Sequence, residues 1–314
     1  MKPNSPAPLL SCWFLTGPTA SGKSALGVEL AKRIDAEIIS LDSMALYRGM
    51  DIGTAKPTPE QVASVPHHLI DVIAPHEEYS LAQYVDAANQ CVAEIAKRGK
   101  KTLFVGGTPL YLKGLLRGIF EGPPADWELR HRWIAEAEQH GDTWLHEQLA
   151  KVDPTSATRL HPNDARRLIR ALEVFEKTGR PISEWQQQFD IGHPAEECRV
   201  FTLDWPKTEL HARIDRRVEI MFEEGLVEEV RRLLASPQPL SRTASQAVGY
   251  REVIDHLNGR YSLSETVALV QQHTRQLAKR QGTWFRSLCE CRFVSVAEPL
   301  EIGIVAEKIF SAAI

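Results

Sequence analysis

Cysteine is scarce and scattered in this chain. Five stand among 314 residues, at 12, 91, 198, 289 and 291, and no two form a Cys-x-x-Cys pair. An odd number without paired spacing argues against a disulfide framework or a zinc finger and fits a reducing cytoplasm. Long apolar runs are missing as well. The stretch nearest the start, residues 9–15, is far too short to span a bilayer. It has no basic leader and no small-residue cleavage site, so neither a membrane location nor a secretory signal is expected. Neither sign of charge dominates: 37 basic and 41 acidic residues leave a net charge of −4. That total does not mark a nucleic-acid binder, but binding depends on a local patch. Internal repeats and low-complexity tracts are absent. What remains, 43% hydrophobic and 25% charged residues, is ordinary globular composition at a length that fits about two domains.

The N-terminal third alternates apolar runs with helical periods. Strands are expected at residues 11–16, 37–41, 68–73 and 101–105, a turn at 17–22, and helices at 23–34 and from a Ser80 cap to about residue 98. This alternation predicts an α/β fold, a parallel sheet flanked by helices. The character changes around residues 121–124. From there to about 194 the patterns are helical, and residues 166–177 place Leu168, Ala171, Leu172 and Phe175 on one buried face. A strand returns at 198–204, followed by a helix from about 208, a long helix over 262–288, a short strand at 292–296 and a closing helix at 300–313. The expected organisation is an α/β core of residues 1–120 and 197–314, interrupted by an all-helical insertion at 121–196.

Gly17-Pro18-Thr19-Ala20-Ser21-Gly22-Lys23-Ser24 matches the phosphate loop G-x-x-x-x-G-K-[ST], between a strand and a helix as that motif requires. Glycines allow the tight turn and let N–H groups point inward, and the helix N-terminus adds partial positive charge. Lys23 brings a full charge, and the Ser24 hydroxyl is the expected Mg²⁺ ligand. The loop specifies a di- or triphosphate but no reaction. An NTPase usually carries an Asp at a neighbouring strand end for Mg²⁺. Here residues 101–105 run into Gly106-Gly107-Thr108 instead. The nearest strand-end acid is Asp42. Strand C-termini line the ligand crevice of such a sheet, so Asp42 and Thr108 are expected to face the phosphates. Turn or helix capping is the plain alternative for each. On these residues alone, a small-molecule kinase, or an RNA-binding protein with a nucleotide switch, stays open.

Further segments extend the pattern: residues 42–57 (DSMALYRGMDIGTAKP), 67–71 (HHLID), 105–111 (VGGTPLY), 161–164 (HPND), 246–251 (QAVGYR) and 279–286 (KRQGTWFR). In order and spacing, across nearly the whole chain, they resemble the bacterial tRNA dimethylallyltransferases of the IPP transferase family. Pro109 and the glycine of Gln281-Gly282 depart from the family's usual residues.

The resemblance implies a P-loop NTPase-like core that holds a prenyl diphosphate in place of ATP, with Mg²⁺. The implied reaction moves a dimethylallyl group from dimethylallyl diphosphate to N6 of adenosine 37, in tRNAs reading codons that begin with U. Asp42 is then the general base, Thr19 and Thr108 orient N6 or the diphosphate, and Arg217 contacts the diphosphate. The implied tRNA contacts are Asp42, Ser43, Met44 and Ala45, Thr108, Arg130, then Arg166, Arg167, Leu168, Ile169 and Arg170. Gln246, Ala247, Val248, Gly249, Tyr250 and Arg251 follow, with Lys279, Arg280, Gln281, Thr283, Trp284 and Arg286. The partner is the anticodon stem-loop, the target base must leave its stack, and the family is usually monomeric. A tryptophan's default place is the core, an arginine cluster's is a solvated helix face, and His67 and His68 are read as structural.

Overall fold

The apolar run after residue 12 becomes β1 (Trp13–Thr16), buried along its whole length. The strands β2 (Ala36–Ser40), β3 (His67–His68), β4 (Lys101–Gly106), β5 (Arg199–Asp204) and β6 (Cys291–Ser295) complete a sheet of order β3-β2-β4-β1-β5-β6. Every neighbouring pair is parallel. Continuous apolar strands are what a sheet covered on both faces requires. The computed structural model describes residues 9–120, 122–141, 143–185 and 191–313. They form two compact units, one of Pro8–Leu116 with Gly192–Ile314, the other of Arg117–Ile191.

In the sheet unit, α1 (Lys23–Ile34), α2 (Pro59–Ser64) and α3 (Leu81–Lys97) follow the first strands. Ser80 caps α3 through a full capping box with Gln83, as its position suggests. Helix α4 (Pro109–Arg117) follows β4. The expected third strand shortens to two residues. Leu69 and Asp71 both adopt left-handed backbone (φ 57°), which turns the chain out of extension, and Ile73 makes only an isolated bridge with Tyr47.

The other unit holds α5 (Trp127–His140), α6 (Trp144–Val152), α7 (Pro154–Arg159), α8 (Ala165–Thr178) and α9 (Ile182–Trp185). No strand occurs among its described residues. Leu145, Leu149, Leu168, Ile169, Leu172 and Val174 form its core. Two buried carboxylates organise it. Asp153 accepts hydrogen bonds from the N–H and hydroxyl of both Ser156 and Ser183. Glu173, fully buried, accepts two from Arg130, one from Arg170 and one from the Asp126 N–H. Burial alone would raise the Glu173 pKa, but these hydrogen bonds outweigh it and hold the group below its ordinary value.

Beyond β5 the sheet unit continues with α10 (Lys207–Glu223), α11 (Leu226–Leu234), α12 (Arg242–Ser245), α13 (Tyr250–Leu257), α14 (Leu263–Arg286) and α15 (Ile302–Ala312). The main core packs α1 and α15 against one sheet face, through residues such as Leu26, Leu30, Ala306 and Ile309.

The helical unit gives a first prediction. Leu168 lies with its side chain in the core, so Leu168→Ala lowers stability by about 2–5 kcal/mol. Chemical denaturation checks this; a loss within a few tenths would remove Leu168 from the core.

Candidate active site

Strand order reverses around β1 and β4, and the crevice of such a sheet opens at the C-terminal strand ends. Three loops meet there. The first is the phosphate loop. Its N-cap, Gly22, is left-handed and supplies no side-chain cap to α1, so the first-turn N–H groups, which have no intrahelical acceptor, are available to an anion. The loop's carbonyls are tied elsewhere. Pro18 accepts from Lys23 Nζ (2.9 Å), Ala20 from Arg213 Nε (2.9 Å) and Ser21 from Trp205 Nε1 (3.1 Å).

The second loop follows β2 and carries Asp42, whose Oδ1 accepts from the Met44 N–H at 2.9 Å. The third follows β4. A Cβ at Gly106 would lie 2.2 Å from the Leu41 carbonyl oxygen, so only glycine lets these strand ends come together. The approach brings the Thr108 N–H to that carbonyl (3.0 Å) and the Thr108 Oγ1 to the Ser43 N–H (3.0 Å).

A cavity of about 450 Å³ lies over the three loops, within the usual range of small-molecule sites. Thr19, Lys23, Ser24, Asp42 and Arg217 line its polar end, while Ile214, Val218, Met221, Val270 and Leu277 give it an apolar side. Arg217 Nη1 donates to Thr19 Oγ1 at 3.2 Å, yet its buried Nε has no partner among the described residues. Burial lowers the Arg217 pKa, and the nearby Asp42 charge opposes that shift. Burial first, then repulsion from Arg217, pushes Lys23 from 10.5 down to about 8, again opposed by Asp42. Two desolvated cations over a row of N–H groups favour a multiply charged anion.

Sequence reasoning missed the wall formed by residues 53–57. Glu229, on α11 and 2% exposed, holds it in place. Its Oε2 accepts from the N–H groups of Asp51 (3.0 Å) and Ile52 (2.8 Å), its Oε1 from Gly53 N–H (3.2 Å) and the Tyr250 hydroxyl (2.6 Å). Lys56 bonds the Tyr47 carbonyl, Asp51 and Asp71. The stripe of Leu226, Val230 and Leu233 turns Glu229, and not its neighbour Glu228, to the inward face of α11, but nothing local tells which groups it meets there.

The remaining expected residues distribute as follows. Ser43, Met44, Ala45, Gln246, Ala247, Val248, Gly249, Tyr250, Arg280 and Gln281 line the cavity with Asp42 and Thr108. Arg251 bonds Glu252 and His273. Lys279 and Arg286 border a different cavity with Arg275, where Arg286 meets Asp204. Thr283 is exposed, and Trp284 is at the surface, not in the core. Arg166 and Arg167 are exposed, the latter paired with Asp164. Leu168 and Ile169 belong to the helical core instead of an RNA-facing surface, because helix periodicity turns them inward. Arg130 and Arg170 hold Glu173. Arg213, on the same helix as Arg217, binds the phosphate loop and Glu298. His67 and His68 bond the Val65 carbonyl and Glu37. Among the described residues no group of three or more His, Cys, Asp or Glu is arranged to hold a metal, and no helix is long and apolar enough to cross a membrane.

A family model described as IPP transferase matches residues 45–288. A tRNA dimethylallyltransferase of Rhodopirellula baltica is 51% identical over 286 residues, 88% of this chain and 86% of that protein. A tRNA dimethylallyltransferase 1 of Trichlorobacter lovleyi is 47% identical over 90% of this chain and 93% of its own. The crystal structure of a tRNA isopentenylpyrophosphate transferase from Bacillus halodurans matches with a TM-score of 0.69 at 37% identity, covering 96% of both chains. A eukaryotic dimethylallyltransferase acting on tRNA matches with a TM-score of 0.74 at 26% identity, covering 91% of this chain and 74% of that one.

Two measurements follow from the site. With Lys23 at about 8 in the free protein, its charge is lost as pH rises through that value, so affinity for inorganic diphosphate falls above pH about 8 by up to ~10-fold per unit. Calorimetry from pH 6.5 to 9.5 reads the decline, and Lys23→Gln binds more weakly without it; the same decline in that variant refutes the assignment. Glu229→Gln leaves one wall donor without an acceptor. It lowers stability by ~1–3 kcal/mol and speeds hydrogen exchange at Asp51, Ile52 and Gly53.

Proposed function

The chain belongs to the IPP transferase family, and on that premise we propose that its cavity holds dimethylallyl diphosphate on the phosphate loop while a tRNA adenine enters beside Asp42. The activity, tRNA dimethylallyltransferase acting at adenosine 37, comes with the family. The kinase and nucleotide-switch readings fall with it. The observation that supports the substrate placement is the polar end of the cavity, where Lys23 and Arg217, whose Nε has no partner among the described residues, stand near the Asp42 carboxylate.

Adenine N6 is a poor nucleophile because its lone pair is delocalised into the ring. The allylic C–O bond breaks readily once the departing diphosphate is neutralised. Lys23, Arg217 and the loop N–H groups supply that neutralisation, in a setting where fixed donors need no rearrangement. The new N6–C bond forms as the C–O bond breaks, and the N6 proton passes to the Asp42 carboxylate. Thr19, held by Arg217, and Thr108, held at Ser43, orient the diphosphate and N6. The apolar side of the cavity suits a five-carbon chain.

Mg²⁺ fits the donor set. The Ser24 hydroxyl stands exposed on the first turn of α1 at the cavity's edge, and Mg²⁺ commonly binds through one or two protein groups and substrate phosphates. Bound there, it would add charge neutralisation to the diphosphate.

A base in a stacked anticodon loop cannot reach a recessed carboxylate, so adenosine 37 swings out. The tRNAs taken are those reading codons that begin with U. Asp42 to Ala45 and Gln246 to Arg251 meet the extruded nucleotide and its neighbours. The exposed cations of α14 and α8, with Trp284 as a stacking surface, meet the anticodon arm.

The carboxylate is tested directly. Asp42→Asn lowers single-turnover prenyl transfer by ~10²–10⁴-fold and leaves tRNA affinity within a few fold. Mass spectrometry of the tRNA and filter binding read the two effects; near-normal transfer would remove the general base from the mechanism.

A further inference from the structure

Gln281 sits amid the cationic run of α14, and by sequence it belongs with the tRNA contacts. Its carboxamide is otherwise engaged. Oε1 accepts from the Thr19 N–H at 2.9 Å, and Nε2 donates to the Gly107 carbonyl at 2.7 Å. Both partners are backbone, one only a donor and the other only an acceptor, so a single orientation of the amide satisfies them. The fit is close: a Cβ on Gly107 would lie 2.7 Å from Nε2. The two partners belong to the phosphate loop and to the loop after β4. Thr19 also receives the Arg217 guanidinium, and Gly107 immediately precedes Thr108. One side chain therefore ties together the two loops that carry the orienting threonines, while neighbours Lys279, Arg280, Thr283 and Trp284 stay exposed.

We propose that Gln281 is a positioning residue for prenyl transfer: its neutral carboxamide, donor and acceptor at once, holds the phosphate loop and the Thr108 loop in register, and it does not contact tRNA. The inference deepens the prenyl-transfer reading and rests on it. Leucine fills similar space but offers neither hydrogen bond. Glutamate keeps the acceptor for Thr19 and, when ionised, sets a second oxygen against the Gly107 carbonyl. Protonated glutamate restores the donor.

The native chain, Gln281→Leu and Gln281→Glu are compared in single-turnover transfer and in tRNA binding at several salt concentrations. Transfer by the native chain tests the underlying reading separately. Both variants are expected to lose turnover by ~100-fold at pH 8, the scale of a small misplacement of reacting groups, with tRNA affinity within twofold and an unchanged salt slope. The ratio of Gln281→Glu to native turnover rises as pH falls from 8.5 to 5.5 and the carboxyl gains its proton. A tenfold loss of tRNA affinity at unchanged turnover overturns the proposal in favour of an RNA contact, and a flat ratio of Gln281→Glu to native turnover across pH overturns it as well. Should Gln281→Leu fail to fold, the pH profile of Gln281→Glu alone decides.

Discussion

The backbones of β2 and β4 come so close at their C-terminal ends that no side chain fits at Gly106. That contact is the constraint on which the site rests. It sets the Thr108 amide on the Leu41 carbonyl and the Thr108 hydroxyl on Ser43. Asp42 lies between those two anchor points, so its position follows from strand packing and not from a flexible loop. In the role proposed for Asp42, that of a base taking a proton at a defined moment, such fixed placement is an advantage. The missing strand-end acid has the same origin: a closely approached glycine pair occupies the place where a metal-holding aspartate stands in other phosphate-loop proteins.

Around this frame the charges are arranged for a partner that brings negative charge with it. Lys23 and Arg217 repel one another and are partly stripped of water, and Asp42 offsets only part of that penalty. An arriving diphosphate relieves both effects. The wall at residues 53–57, which also lines the cavity, is fixed by Glu229 and Lys56. Glu229 has about four acceptor positions and meets four donors, and Lys56 gathers three oxygens.

What the sequence disclosed was whatever depends on near neighbours. The phosphate loop, the bounds of α1, the Ser80 cap and the strand-end positions of Asp42 and Thr108 all follow from local spacing. The parallel sheet follows from alternation of apolar runs with helical periods. Contacts between distant positions stayed hidden. Glu229 reaches the wall across 178 residues and Gln281 reaches Thr19 across 262; the apolar stripe of α11 turns Glu229 inward, but the identity of each distant partner is not written in local spacing. The shortened β3 was hidden for another reason: Leu69 takes a left-handed conformation that its side chain gives no cause to expect. The family resemblance takes residues 166–170 as one block of tRNA contacts, whereas the helix divides that block by face, as the periodicity that buries Leu168 already implies.

The pairing of Arg130 and Arg170 on Glu173 fixes how the helical unit presents these two cations. Two guanidinium groups share one carboxylate, which leaves an uncompensated positive charge at that spot. Both side chains have already given up much of their rotational freedom to the internal acceptor. A phosphate arriving there finds donors in fixed directions and need not freeze them itself, so the contact forms with a smaller entropic penalty than one made by free surface arginines.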